Sequence, residues 1–133
     1  GNSGVAAGIK QLDGAIGYLN YGYVNGGKFQ QVALQNKAGN FVKANAETSA
    51  AGLSKIVLDD QLRGADPNPS GANAYPIVSL TWILAYPESK TGVKETLRYM
   101  LAPEQQAKSD ALGYVPLPEE LRQKALTAVE SLR

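Results

Sequence analysis

Cysteine and histidine are both absent from this 133-residue chain. Without cysteine there is no thiol nucleophile, no disulfide and no thiolate ligand for a metal ion. Without histidine the chain lacks the commonest general base and the commonest transition-metal ligand, so it cannot assemble a Ser-His-Asp triad alone. The two absences remove thiol and histidine chemistry but leave catalysis by carboxylates possible; the expectation for this chain is that it is not an enzyme and uses no metal or other cofactor.

An excess of charge of one sign and long apolar runs are lacking too. The 13 basic and 12 acidic residues nearly cancel. Lysines stand singly along the chain, as do Lys10, Lys28, Lys37, Lys43, Lys55 and Lys90. This dispersion predicts a solvated surface and no nucleic-acid partner. The longest apolar run, residues 77–86, is interrupted by Ser79 and Thr81 and falls far short of the roughly 20 residues that span a bilayer.

The start of the sequence resembles the middle of a domain. Residues 1–7 read as a turn that enters a helix, with no initiator Met, basic segment or apolar leader. We therefore expect the chain to be the carboxyl-terminal piece of a longer protein, with part of any site on sequence that precedes Gly1.

Apolar residues at helical spacing predict five helices. They cover residues 3–12, 45–58, 92–101, the stretch from Pro103 to a cap at Gly113, and the stretch from Pro118 to Leu132. Ser3 is the expected N-cap of the first helix, and Asn45 or Thr48 that of the second. Pro103 suits the first position of a helix, and Gly113 suits the cap at its end.

Strands are predicted between these helices. They are residues 15–19, 29–35, a short return at 41–43 after a turn at 38–40, and 74–86, while 20–27 reads as a turn or short helix. The 74–86 stretch is apolar on both faces, which is typical of a strand inside a sheet covered by helices. Residues 63–71, with two prolines and two glycines, read as a loop. The pattern indicates an α/β fold.

Three motifs have a functional and a plain interpretation. Residues 22–29 match the spacing of a phosphate-binding P-loop except that Phe29 replaces the Ser or Thr that holds Mg²⁺, so we favour a hairpin turn. Residues 1–4 precede a helix and offer N–H groups to an anion, yet a capping turn is favoured. The tyrosines at 18, 21 and 23 suit a sugar or peptide cleft, although ring packing with exposed hydroxyls is commoner.

Acidic residues provide the only enzymatic alternative. The cluster comprises Glu47, Asp59, Asp60 and Asp66, and a second adjacent pair is Glu119 with Glu120. A hydrolase or transferase needs two carboxylates that converge on a cleft with separated pKa values. Neighbours in sequence usually point apart into water, so we favour solvated faces.

Five stretches in a fixed order carry a family resemblance. They are Gly1–Ala7, Gly14–Tyr18, Gln35–Gly39, Ala74–Ile77 and Leu112–Pro118. The series covers nearly the whole chain and resembles the carboxyl-terminal part of the phosphate-binding proteins of ABC-type phosphate uptake systems. The resemblance implies a two-lobed, periplasmic-binding-protein-like fold of type II. Residues 1–72 would complete the second lobe, and residues 73–133 would return to the first.

The resemblance also implies partners and a location. The ligand would be inorganic phosphate, and the partners would be a membrane permease and the missing amino-terminal half of the same protein, in the periplasm or at the extracytoplasmic surface. No phosphate ligand is assigned to this chain, because the family's Arg and its Ser-Gly-Thr stretch would precede Gly1. Asn2, Ser3 and Gly4 would lie near the cleft. The alternative is a structural or interaction module formed by a fragment without a ligand of its own.

Overall fold

Helices dominate the computed structural model, which describes residues 1–25, 27–88 and 92–133. Within these ranges the α-helices are α1 (Asn2–Gln11), α2 (Tyr21–Val24), α3 (Ala46–Leu53), α4 (Val93–Leu101), α5 (Pro103–Gln106) and α6 (Glu119–Glu130). A 3₁₀ turn covers Asp110–Leu112, and the strands are β1 (Leu34–Gln35) and β2 (Phe41–Val42). No helix in the described ranges combines the length and the apolar character needed to cross a membrane.

The helix predictions are confirmed where the periodicity is longest. α1, α4 and α6 each begin and end close to the predicted bounds, although Gly1 rather than Ser3 is the N-cap of α1. α3 follows its predicted cap, because the Asn45 side chain accepts a hydrogen bond from the Thr48 N–H at 2.8 Å and the Thr48 hydroxyl accepts one from the Asn45 N–H. α3 stops at Leu53, five residues early, so that Ile56 turns into the core.

Only one of the predicted strand pairings forms. β1 and β2 pair antiparallel around the 38–40 turn, with Leu34 opposite Val42. The strands predicted at 15–19 and 74–86 are wrong for this chain, and 29–35 shortens to β1. A strand needs a neighbour that satisfies its backbone N–H and C=O groups, and the described residues provide none at these places. The α/β prediction is thus met only in that helices and strands coexist.

The core lies where α3, the chain after it and α6 meet. Leu53, Ile56 and Leu121 are buried together, and four half-buried side chains pack against them: Leu58, Val78, Leu80 and Val115. α4 packs along α6, and Lys94 fastens the two helices by donating to the Glu130 carbonyl at 2.7 Å. On α6 the buried side chains are Leu121, Arg122 and Val129.

The 63–71 loop is confirmed as irregular and is firmly held. Pro69 is fully buried, and the Tyr75 N–H donates to the Thr48 carbonyl at 2.9 Å. The buried Asn36 side chain accepts hydrogen bonds from two backbone N–H groups of the β1–β2 turn and donates to the carbonyls of Gly71, Ala72 and Ala74. This network joins the hairpin to the chain that follows the loop.

Candidate functional site

An open cavity of about 650 Å³ lies between α1, α2 and the 3₁₀ turn, and most of the residues that line it are exposed to solvent. It is lined by Ser3, Ala6, Ala7, Lys10, Asn20, Gly22, Tyr23, Lys28, Phe29, Leu112, Gly113 and Tyr114. Ser3, Ala6, Ala7 and Lys10 lie at positions i, i+3, i+4 and i+7 of α1, which places them on one face of the helix. The two alanines have small side chains that take up little of the cavity volume.

Hydrogen bonds hold the walls of the cavity in place. The Asn20 N–H at the start of α2 donates to Asn2 Oδ1 at 3.1 Å, which ties α2 to α1. On the other side, Asn25 Nδ2 donates to the Asp110 carbonyl at 3.1 Å and the Tyr21 hydroxyl donates to Asp110 Oδ1 at 3.4 Å. Partial burial, and then the Asp110 carboxylate, raise the pKa of the Tyr21 phenol, so it remains a donor.

Two glycines allow the walls to meet. A Cβ on Gly22 would lie 3.1 Å from the Gly113 Cα, and a Cβ on Gly113 would overlap the Gly22 Cα. Gly113 also has a φ of +81°, a left-handed conformation that glycine adopts without strain. The backbone of the 3₁₀ turn therefore lies directly against α2, and only glycine fits at position 113.

The charged side chains that line the cavity are both basic. The lining includes Lys10 and Lys28, and none of its described residues is acidic. The Lys10 ammonium lies 5.4 Å from the centroid of the Phe29 ring, within the distance of a cation–π interaction. Two ammonium groups beside a hydroxyl and aromatic rings favour an anionic ligand or an anionic neighbour.

The structure places the three predicted cleft-near residues differently. Ser3 lines the cavity, whereas the Asn2 side chain is engaged by the Asn20 N–H. The Gly4 N–H donates to the Gly1 carbonyl at 3.1 Å, as a capping turn requires. That these three residues lie near a ligand cleft between two lobes stays a prediction, because this chain does not by itself form both sides of such a cleft.

The P-loop and tyrosine motifs do not follow their plain interpretations throughout. No helix follows Lys28, which is contrary to a P-loop, but residues 21–24 form α2 and no strand lies within residues 1–20, so the favoured hairpin turn is wrong as well. Gly26 of that motif lies outside the described residues. Tyr23 lines the cavity, but Tyr18 is 91% exposed, so its predicted ring packing is wrong. Of the six lysines that were predicted to be solvated, Lys90 lies outside the described residues.

Two residues of the predicted acidic cluster bind local partners. Asp59 accepts hydrogen bonds from the Gln61 and Arg63 N–H groups and pairs with the Arg63 guanidinium at 2.9 Å. Asp66 Oδ1 accepts from the Asn68 N–H at 3.0 Å. In the described part of the chain there is no group of three acidic side chains that could hold a metal ion. Asp59 and Asp66 therefore serve turns of the backbone.

Sequence reasoning did not bring the charged residues of the cavity together. Lys10 and Lys28 are exposed, which confirms their prediction as solvated surface, but their place on the lining of one cavity was not predicted. The helical spacing could have placed Lys10 beside Ser3, since it lies seven residues later on the same face of α1. No local sequence pattern predicts that residues 112–114 contact α2, because the two segments are about ninety residues apart in the chain.

Comparison with known proteins confirms the resemblance. No family model matches the chain. It is 31% identical to the phosphate-binding protein PstS of Methanocaldococcus jannaschii, over 100% of this chain and 39% of the relative. It is 35% identical to the protein of that name from Xylella fastidiosa, over 91% of this chain and 35% of the relative. The chain is 31% identical to the phosphate-binding protein PstS of Pasteurella multocida, over 93% of this chain and 38% of the relative. The chain thus spans less than two fifths of these relatives' lengths.

Proposed function

We propose that this chain is part of the substrate-binding component of an ABC-type phosphate transporter and that the complete protein binds inorganic phosphate for uptake. Similarity over 91% to 100% of the chain to proteins named for phosphate binding carries the proposal. That name describes a binding protein rather than an enzyme. A chain without histidine or cysteine agrees with a site that holds its ligand by hydrogen bonds and fixed dipoles. The structural-module alternative has no comparable support.

The complete protein would be two-lobed, of type II periplasmic-binding-protein-like architecture, and would pass phosphate to a membrane permease from the periplasm or the extracytoplasmic surface. Residues 1–72 would belong to the second lobe, and 73–133 would return to the first. The Pro- and Gly-rich sequence of residues 63–71 is the reason for this boundary, while in this chain one core joins α3 to α6 across it. The resemblance to part of a longer protein supports the contribution of further polypeptide to both lobes.

Phosphate-contacting groups would lie on polypeptide outside this chain, and the amino-terminal face of α1 would form a wall of the cleft. Ser3 on the cavity lining supports this placement for Asn2, Ser3 and Gly4. The lysine-lined cavity beside it supports an anionic ligand, since two positive charges in one concave surface raise the local concentration of anions.

A hybrid protein tests the proposed function. In the hybrid, this chain replaces the segment of the archaeal relative with which it aligns. We expect isothermal titration to show phosphate binding by the hybrid and by the unmodified relative, with sulfate binding far more weakly to both. A folded hybrid that gives no heat with phosphate, beside a relative that does, would contradict the proposal.

Two charge variants of the hybrid test the position of the cleft. Ser3→Asp should weaken phosphate binding about tenfold, because a carboxylate within roughly 5 Å of a bound anion costs about 1–2 kcal/mol at an intermediate dielectric. Gln11→Asp adds the same charge at the far end of α1 and should change the affinity less than about twofold. Equal effects of the two variants would refute a cleft at residues 2–4.

A further inference from the structure

Residues 1–25, which include α1 and α2, are hydrogen-bonded to the later part of the chain through one residue. None of residues 1–25 is buried. In the described part of the chain, the hydrogen bonds that join them to residues beyond Phe29 both end at Asp110, in the 3₁₀ turn. The close approach of Gly22 to Gly113 lies beside these bonds. We name the two hydrogen bonds and the glycine contact the Asp110 latch.

Asp110 contributes a different group to each hydrogen bond of the latch. Its side chain accepts from the Tyr21 hydroxyl at 3.4 Å, and its main-chain carbonyl accepts from Asn25 Nδ2 at 3.1 Å. Tyr21 and Asn25 are four positions apart, so they lie on the same side of α2. Because one bond needs the Asp110 carboxylate and the other does not, substitutions can remove the two bonds separately.

The Asp110 latch crosses the proposed boundary between the two lobes, since Tyr21 lies before residue 72 and Asp110 lies after it. The core that contains Leu53 and Leu121 crosses the same boundary, but it is apolar and buried. Polar groups that separate can bond to water, so a broken hydrogen bond costs little net free energy, whereas opening an apolar core exposes its surface. The latch is therefore the cross-boundary contact that is suited to form and break.

The Asp110 latch also lies beside the face of α1 that is proposed to border the cleft. Ser3, Gly22 and Gly113 line one cavity. The contact between α2 and the 3₁₀ turn therefore holds the turn next to the start of α1. In proteins whose lobes close around a ligand by a hinge motion, contacts between the lobes beside the cleft are made in the closed conformation.

We propose that the Asp110 latch stabilises the closed, ligand-holding conformation of the complete protein and that Asp110 is a positioning residue without a contact to the ligand. This inference rests on the proposed function for the two lobes and the ligand. The apparent affinity for a ligand scales with the population of the binding-competent conformation. Loss of the latch should therefore weaken phosphate and its isostere arsenate by the same factor, mainly through faster dissociation.

A double-mutant cycle in this chain tests the contact. Tyr21→Phe and Asp110→Ala remove the same hydrogen bond, so each should raise the unfolding equilibrium constant about threefold, and the double variant also about threefold. Asn25→Ala removes the other bond, so its effect should multiply with that of Asp110→Ala. A Tyr21→Phe, Asp110→Ala double variant with an increase of about ninefold, the product of the single effects, would overturn the inference.

Phosphate and arsenate titrations of the hybrid protein test the effect on binding. Asp110→Ala should raise the dissociation constants of both anions about threefold to tenfold. Asp110→Asn keeps a side-chain oxygen as acceptor and should recover most of the affinity. Asp66→Ala is the control, because Asp66 is equally half-buried and accepts from the nearby Asn68 N–H within one turn; it should change either constant less than about twofold. Equal losses for Asp110→Ala and Asp66→Ala, or different factors for the two anions, refute the latch.

Small-angle scattering separates the latch from the proposed function. If the unmodified hybrid binds no phosphate, the proposed function is wrong, and the latch is judged by shape alone. The Asp110→Ala hybrid should then have a larger radius of gyration than the Asp66→Ala hybrid, because fewer of its molecules are closed. Equal radii reject the latch. For a hybrid that does not fold, the double-mutant cycle in this chain decides.

Discussion

The side-chain amide of Asn36 donates a hydrogen bond to the Ala74 carbonyl oxygen at 3.2 Å. The same nitrogen lies 2.9 Å from the Ala72 carbonyl, and Oδ1 accepts from the N–H groups of Ala38 and Asn40. One buried side chain thus satisfies backbone groups on both sides of the chain's most irregular stretch. The hairpin and residues 71–74 are therefore fixed relative to each other.

Asn36→Ala should lower the free energy of unfolding by about 2–3 kcal/mol, because it leaves buried backbone donors and acceptors without partners. Urea denaturation of the chain measures this loss. Asn40→Ala is the control. Its exposed side chain donates only to the Ala72 carbonyl, so it should cost less than about 1 kcal/mol. Similar losses of unfolding free energy for the two variants would contradict the view that the buried hydrogen bonds of Asn36 cause the larger loss.

Gly113→Ala should destabilise the chain by about 2–4 kcal/mol, because the new Cβ overlaps the Gly22 Cα and the residue must keep a φ of +81°. Gly39→Ala provides a matched control. Its φ is +87°, but no atom lies within 4 Å of the added Cβ, so it should cost only about 1 kcal/mol. Thermal melts of both variants check the difference, and a Gly113→Ala cost no larger than the control would contradict the close contact.

Glu119 should give the chain acid-sensitive stability. Hydrogen bonds from Arg122 and then Gln123 lower the pKa of its carboxyl from 4.5 to about 2. Because the folded-state pKa lies below the unfolded one, the stabilisation is complete above about pH 4.5 and is lost as the pH falls toward 2.

Urea midpoints measured at intervals from pH 7 to pH 2 test this dependence. Glu119→Gln should flatten the decline between pH 4.5 and 2, and Arg122→Leu should flatten it similarly because the main hydrogen-bond donor is gone. Part of the decline should persist, since hydrogen bonds from Arg63 and Arg98 also lower the pKa of Asp59 and Glu130. An unchanged profile in Glu119→Gln would be inconsistent with this pairing.

Ile77→Asn should stabilise the chain by about 0.5–1 kcal/mol. Ile77 has a φ of +61° and is 74% exposed, so a β-branched side chain occupies a left-handed conformation without burying much surface. Asparagine tolerates that conformation far better. Ile16→Asn, at another exposed isoleucine, should change the stability by less than about 0.5 kcal/mol. A loss of stability in Ile77→Asn would contradict the strained backbone.

The amino-acid sequence by itself determined the helices with the longest periodicity, the cap of α3, the β1–β2 turn and the family resemblance. These features depend on residues within a few positions of one another, because helical hydrogen bonds and caps are local. The resemblance likewise follows from short motifs in order.

Tertiary structure alone decided the rest. The Gly22–Gly113 contact, the lysine-lined cavity and the Asn36 network join residues that are far apart in the chain, so no local pattern announces them. The apolar pattern of residues 74–86 predicted a strand, but a strand exists only when a second backbone satisfies its hydrogen bonds. Residues 74–86 form no strand here because the fold of this chain places no second backbone beside them.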